Sequence, residues 1–306
     1  MRILITGAGG TLGGALIRTC RDAGHEPIAM VRAGRIEGVE SVACDLESIA
    51  TRPIEFPRIK LDSIIHAAAM PAPDMCEDNR DLAHRINVEA TRAVAEAACV
   101  SGLRCVFVST DHVFEGFSGG SGPDGLYRES DPTGPVNYYA QTKLEAEGIV
   151  SHAGGVIARM ALVTSGLDGA WYGDCAAISA REHEILQTKP PPVRTATNAV
   201  LSALKDGREL TLFTDEIRTP VDVAFAARCM VMLATMPNPP RLVHVAGPRR
   251  LSRYDIGMEV ARSAGLEDQA RLLIKPGLQA KTPTRVKRPR DCSLDTSLLK
   301  SLIDSI

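Results

Sequence analysis

From residue 1 to about 165, short apolar runs alternate with longer stretches whose apolar positions recur at helical spacing. Residues 2–6, 27–31, 41–43, 63–67, 104–109 and 155–159 read as strands. Between them, residues 12–23, 81–101 and 138–152 read as helices, each beginning or ending near Gly, Asp or Asn. Such alternation builds parallel strands joined by crossover helices, so the expected fold class is α/β with a doubly wound parallel sheet. Ligands of these sheets bind beyond the carboxyl ends of the strands, and every motif below falls at such an end.

After residue 165 the pattern loosens. Gly166, Gly169 and Gly173 precede Pro190, Pro191 and Pro192, a run that no helix interior accommodates. A strand-like stretch at 242–246 and a helix-like one at 252–264 restore order, and the tail carries Lys281, Arg285, Lys287, Arg288 and Arg290. The expected organisation is a first domain over 1–165, completed by about 217–247, with a smaller region over 166–216 and 248–306.

The chain has 306 residues, enough for a substantial core, and a net charge of −2, which argues against nucleic acid or a membrane surface as partner. Its eight cysteines form no CxxC pair and no zinc-spaced group with histidine, so reduced thiols and no metal are expected. Met1 and Arg2 run straight into Ile3, Leu4 and Ile5, and no segment approaches the ~18 apolar residues of a membrane span. The expected location is the cytoplasm.

The first strand leads into Gly7-Ala8-Gly9-Gly10-Thr11-Leu12-Gly13 and then a helix, the setting a phosphate-binding turn needs. Leu12 breaks the spacing GxGxxG, and Gly7, Gly10 and Gly13 fit GxxGxxG instead. A site for NAD places an acid about 20 positions further on to hold the ribose 2'-hydroxyl, whereas the second strand here ends in Arg32, with Arg35 close behind. Guanidinium groups there suit a 2'-phosphate. Asp45 and Leu46 follow the third strand and can flank the adenine, and Ala67, Ala68 and Ala69 leave room for a cofactor after the fourth. His66 reads as a packed histidine.

Tyr139 and Lys143 stand at i and i+4 on one face of the helix expected over 138–152. A tyrosine has an ordinary pKa of ~10, and a neighbouring cation favours its ionised form, which brings the phenol nearer to acid–base work at neutral pH. Strand 104–109 delivers Thr110 to the same end of the sheet, where its hydroxyl can hold a substrate oxygen; Ser109 is the rival for that role.

The glycine turn, Ser109-Thr110-Asp111, Tyr139 and Lys143 followed by Leu144-Glu145-Ala146-Glu147, and Ile217-Arg218-Thr219-Pro220-Val221-Asp222 together resemble the extended short-chain dehydrogenase/reductase family. They are most similar to its dTDP-4-dehydrorhamnose reductase branch, and the resemblance runs to Arg288-Pro289-Arg290-Asp291. It implies a Rossmann-type sheet with a smaller C-terminal substrate-binding region. It implies NADPH, with NAD as the alternative, reducing the C4 ketone of a nucleotide-linked 6-deoxysugar with Thr110, Tyr139 and Lys143 as catalytic triad. Gly7, Gly10, Thr11, Leu12, Gly13, Arg32, Arg35, Asp45, Leu46, Ala67, Ala68, Ala69 and Ser109 would bind the cofactor beside Tyr139 and Lys143. Asp111, His112, Val113, Phe114, Asn137, Arg218 and Arg288, with Arg290 nearby, would face the substrate. Asn87 resembles a helix asparagine that orders the site in this superfamily.

His112 departs from the pattern. The reductase branch commonly has Tyr there, and related dehydratases have Glu, so the carboxylate pair of the dehydratases is broken here. An epimerase moving a hydride out and back, and a non-catalytic NADP-binding subunit like that of methionine adenosyltransferase, share these motifs. A homodimer is a compatible assembly.

Overall fold

Ile3 and Ile5 turn to one face of the first strand and Leu4 to the other, and all three are fully buried. A strand covered on both faces belongs at the centre of a sheet. The computed structural model places it there, and it describes residues 1–49, 60–165, 196–282 and 285–305. Gly166, Gly169, Gly173, Cys175 and the three-proline run lie outside the described residues.

The elements that carry the site are β1 (Arg2–Thr6), α1 (Thr11–Asp22), β2 (Glu26–Val31), β3 (Glu40–Ala43), β4 (Ser63–His66), α2 (Ala90–Val100), β5 (Arg104–Thr110), α3 (Tyr138–His152), β6 (Val156–Met160), α4 (Val223–Thr235) and β7 (Leu242–Val245). The strands form one parallel sheet in the order β7-β6-β5-β4-β1-β2-β3. Chain direction across the sheet reverses between β1 and β4, which opens a crevice at their carboxyl ends.

On one face, α1 and α4 pack Leu16, Ile17, Met230 and Leu233 against Ile3, Ile5, Ile65 and Val106. On the other, Val94 and Ala98 of α2 meet Leu4 and Ile64, while Ala146 and Val150 of α3 meet Phe107 and Ile157. A separate core of Val200, Leu204, Leu212, Ile256, Val260 and Ile274 supports the smaller C-terminal part. Its helix α5 (Arg253–Ser263) starts with a reciprocal cap between Ser252 and Asp255.

The helix expected over 81–101 is interrupted. Arg80–His84 and Ala90–Val100 are α-helical, and Arg85–Glu89 between them forms a π turn with Asn87 at its centre. Asn87 accepts from the Met70 amide at 2.8 Å and donates to Thr142 Oγ1 at 3.0 Å, contacts that the bulge brings within reach. His66 is packed as expected, its ring nitrogens meeting Thr6 Oγ1 at 2.7 Å and Thr91 Oγ1 at 3.0 Å.

Candidate active site

The turn after β1 is shaped by contacts that only glycine permits. Gly7 has φ +70°, and a Cβ on it would sit 2.9 Å from the backbone of Ala68. A Cβ on Gly13 would fall 2.2 Å from the Gly7 carbonyl oxygen. A Cβ on Gly9 would meet nothing within 4 Å among the described residues, so this part of the turn is open. No side chain caps the first turn of α1, which leaves its N–H groups directed at the opening. The residues therefore fit a dinucleotide: the turn is a cradle that a Cβ would fill, placed at a positive helix end.

A cavity of about 830 Å³ runs from this turn across the sheet ends. Gly7, Gly10, Thr11, Leu12, Gly13, Leu46, Ala67, Ala68 and Ala69 line it, together with Ser109, Thr110, Asp111, His112, Tyr139, Lys143, Arg218 and Arg288. The structure thus brings most of the expected residues to one place.

Several expected site residues do not line this cavity. Arg32 and Arg35 are exposed, have no partner among the described residues and are not on the cavity wall. Asp45 caps the short helix Leu46–Ile49, accepting from the Glu47 amide at 3.1 Å. Val113 and Phe114 are fully buried in a cluster with Tyr127, Cys292 and Leu294, because the turn after Thr110 points them inward. Asn137 caps α3 by accepting from the Ala140 amide at 2.9 Å and ties it to the Lys287 carbonyl at 3.1 Å. Arg290 lies on the surface over Phe117.

Arg218 lines the cavity, but its guanidinium is committed. It donates to the carbonyls of Ile217 at 2.6 Å, Arg290 at 3.0 Å and Pro289 at 3.0 Å, and approaches Asp111 at 3.5 Å and Glu216 at 3.3 Å. It is a buried clasp between the strand Ile217–Arg218 and the C-terminal segment. Arg288 pairs with Asp74 at 2.6 Å through one nitrogen, while its other terminal nitrogen has no partner among the described residues. Arg253 and Glu216 join the cavity wall without having been anticipated. The signal for Arg253 was local: it is the first residue after the Ser252 cap, at the start of a helix.

Thr110 and Ser109 alternate across β5, and the structure separates their duties. Ser109 donates to the buried Glu147, which also grips Arg159 at 2.8 Å. Thr110 accepts from the His112 amide at 3.2 Å and meets Asp111 Oδ1 at 3.2 Å. Burial raises the Tyr139 phenol above its ordinary value, and a hydrogen bond with Thr110 works against that shift. The expected lowering by Lys143 is not what dominates. Lys143 is itself pushed down to about 7, by burial first and with Glu147 opposing it. Burial raises Asp111 to about 6, with Arg218 opposing. His112 is driven well below the ordinary histidine range by burial and by Arg218, Arg288 and Arg253, so it is neutral at pH 7.

Comparison with known proteins settles the family. The sequence matches the RmlD substrate binding domain family over residues 1–186 and 193–305. The chain belongs to this family. Among relatives of the RmlD family chain, a dTDP-4-dehydrorhamnose reductase of Mycobacterium tuberculosis is 28% identical over 291 residues, covering 94% of this chain and 82% of that protein. Methionine adenosyltransferase 2 subunit beta of Bos taurus is 25% identical, covering 98% and 82%. The solved structure of a hypothetical dTDP-4-dehydrorhamnose reductase from Sulfolobus tokodaii superposes with a TM-score of 0.74 at 27% identity, covering 98% and 94%. The RmlD family chain is accordingly an NAD(P)-dependent oxidoreductase with the extended short-chain dehydrogenase/reductase fold. No helix among its described residues is long and apolar enough to cross a membrane.

Proposed function

We propose that this protein reduces the C4 ketone of a nucleotide-linked 6-deoxysugar, using NADPH. The observation that carries this reading is the convergence of Thr110, Tyr139 and Lys143 on the cavity that begins at the glycine turn. When bound, the nicotinamide supplies the hydride. Tyr139, kept protonated by burial, gives its phenolic proton to the substrate oxygen, and Thr110 fixes that oxygen by hydrogen bonding. Lys143, on the same helix face, holds the nicotinamide ribose. Gly9 and Gly10 let backbone approach the pyrophosphate, and the exposed Arg32 meets the 2'-phosphate.

Arg288 and Arg253, rather than Arg218, are the groups for a substrate diphosphate. Arg288 has a terminal nitrogen without a partner among the described residues, and Arg253 approaches its carboxylate neighbour Glu216 at only 3.9 Å. Planar guanidinium groups suit phosphate oxygens, and the binding of the nucleotide end fixes the sugar against Tyr139.

The test is NADPH oxidation by the purified protein with dTDP-4-dehydrorhamnose, and with UDP-linked 4-ketosugars in parallel. Consumption of NADPH matched by formation of the alcohol is expected with at least one of them. Tight NADPH binding without turnover of any would replace the reductase reading by that of a binding subunit, the kind of protein represented among the relatives.

A further inference from the structure

Lys143 lies in a wall that offers its charge little support. It is 2% exposed, and its Nζ sits 4.0 Å from the centroid of the Phe107 ring. The titratable groups around it come from several elements. The helix Pro73–Asp78 contributes Cys76, whose thiol is pushed up to about 11 and is neutral. From β4 comes His66, pushed down to about 3 and neutral as well. Tyr139, on α3 itself, is held protonated, and Arg159 on β6 is a second cation. Asp111, after β5, faces Arg218. The remaining group is Glu147, one helical turn beyond Lys143 on the same face of α3. Its carboxylate is buried, accepts from Ser109 Oγ and is gripped by Arg159 through Nε at 3.1 and 3.2 Å and Nη2 at 2.8 Å. Among the groups acting on Lys143, Glu147 is the carboxylate.

We infer that Glu147 is a positioning residue for the proposed reaction: a buried carboxylate fixed by Arg159 and Ser109 one helical turn from Lys143, it favours the protonated form of Lys143 against the apolar wall. Arg159 and Ser109 fix the carboxylate from the sheet side, and Lys143 stands one turn away on the same helix face. An uncharged Lys143 would remain an amine able to accept a hydrogen bond, but would lose the electrostatic hold on a ribose beside Tyr139. This role rests on the reductase reading only for its consequence in turnover. The charge itself is measurable without any substrate.

The experiment follows the ε-carbon resonance of Lys143 by NMR in full-length protein labelled with ¹³C-lysine and saturated with NADP, assigned by its absence in Lys143→Met. Removing a counter-charge from a buried ammonium lowers its titration midpoint, so Glu147→Gln is expected to shift it down by about one pH unit, or tenfold in protonation constant. Glu147→Asp restores part of the shift. Arg159→Gln, which removes the competing cation and frees the carboxylate, moves the midpoint up. An unchanged midpoint in Glu147→Gln overturns the inference. If that variant does not fold, an unchanged or lowered midpoint in Arg159→Gln does so. The parent reading fails separately, if Lys143→Met oxidises NADPH with dTDP-4-dehydrorhamnose as fast as the unmodified protein.

Discussion

His112 meets Tyr139 edge to face, their ring centroids 6.0 Å apart and their planes at 78°. The contact sets the lateral position of the phenol, because the His112 imidazole is neutral and acts through shape rather than charge. An edge-to-face pair contributes ~0.5–1.5 kcal/mol, so His112→Ala is expected to lower kcat/KM about two- to tenfold. His112→Phe keeps the ring and most of the rate. Steady-state NADPH oxidation with dTDP-4-dehydrorhamnose measures both, and equal loss in the two variants would show that a polar ring atom matters instead.

Tyr139→Phe removes the proton donor and leaves the ring against His112. A general acid contributes about 10²–10⁴-fold, and a loss of that size in kcat is expected with NADPH affinity unchanged by fluorescence titration. Thr110→Val should lose less than Tyr139→Phe, since it removes a hydrogen bond to the substrate oxygen but not the proton. Retention of most turnover in Tyr139→Phe would remove the phenol from the mechanism.

The glycines of the turn should separate into two kinds. Gly13→Ala forces a methyl against the Gly7 carbonyl, a backbone atom that has nowhere to go, so a loss of ~1–3 kcal/mol or more is expected in denaturant unfolding. Gly9→Ala meets nothing within 4 Å and should stay within about 0.5 kcal/mol of the unmodified protein. Its methyl lies on the cavity wall, so NADPH affinity falls while stability does not. Comparable unfolding of the two variants would mean that the turn is not packed as described.

The sheet was legible because its strands are apolar runs too short for helices and bounded by Gly, Asp and Asn; buried on both faces, they carry no period of their own, so length and flanking residues decide. The π turn at Asn87 was not, since an inserted residue leaves the hydrophobic spacing of residues 81–101 almost unchanged. At the site, the motifs located Thr110, Tyr139 and Lys143 through their place at strand ends and on one helix face. They could not show that Val113 and Phe114 turn inward or that Asn137 serves as a cap, because a loop's direction is set by what it packs against. Arg218 and Arg288 looked alike for a related reason: their difference lies in carbonyls supplied from 71 and 72 residues away for Arg218.

Arg218 and Arg288 should therefore respond differently to truncation. Arg218 is 1% exposed and bridges two segments through three carbonyls and two carboxylates. Removing its charge strands Asp111 and leaves Glu216 with Arg253 at 3.9 Å, and breaking a buried pair from one side costs ~3–5 kcal/mol. Arg218→Ala is thus expected to unfold at markedly lower denaturant, and Arg218→Lys also loses stability, because an ammonium cannot reach the carbonyls of Ile217, Pro289 and Arg290 with the same fork. Arg288 is only partly buried, and one of its terminal nitrogens has no partner among the described residues, so Arg288→Ala should fold normally. A charge-assisted contact to a phosphate is worth ~1.5–3 kcal/mol, so its loss should raise KM for dTDP-4-dehydrorhamnose about ten- to a hundredfold, with kcat nearly unchanged. NADPH affinity should stay the same, since the glycine turn that would hold the cofactor is left intact. Normal stability in Arg218→Ala with a raised KM would return the diphosphate to Arg218 and leave Arg288 as the partner of Asp74 alone.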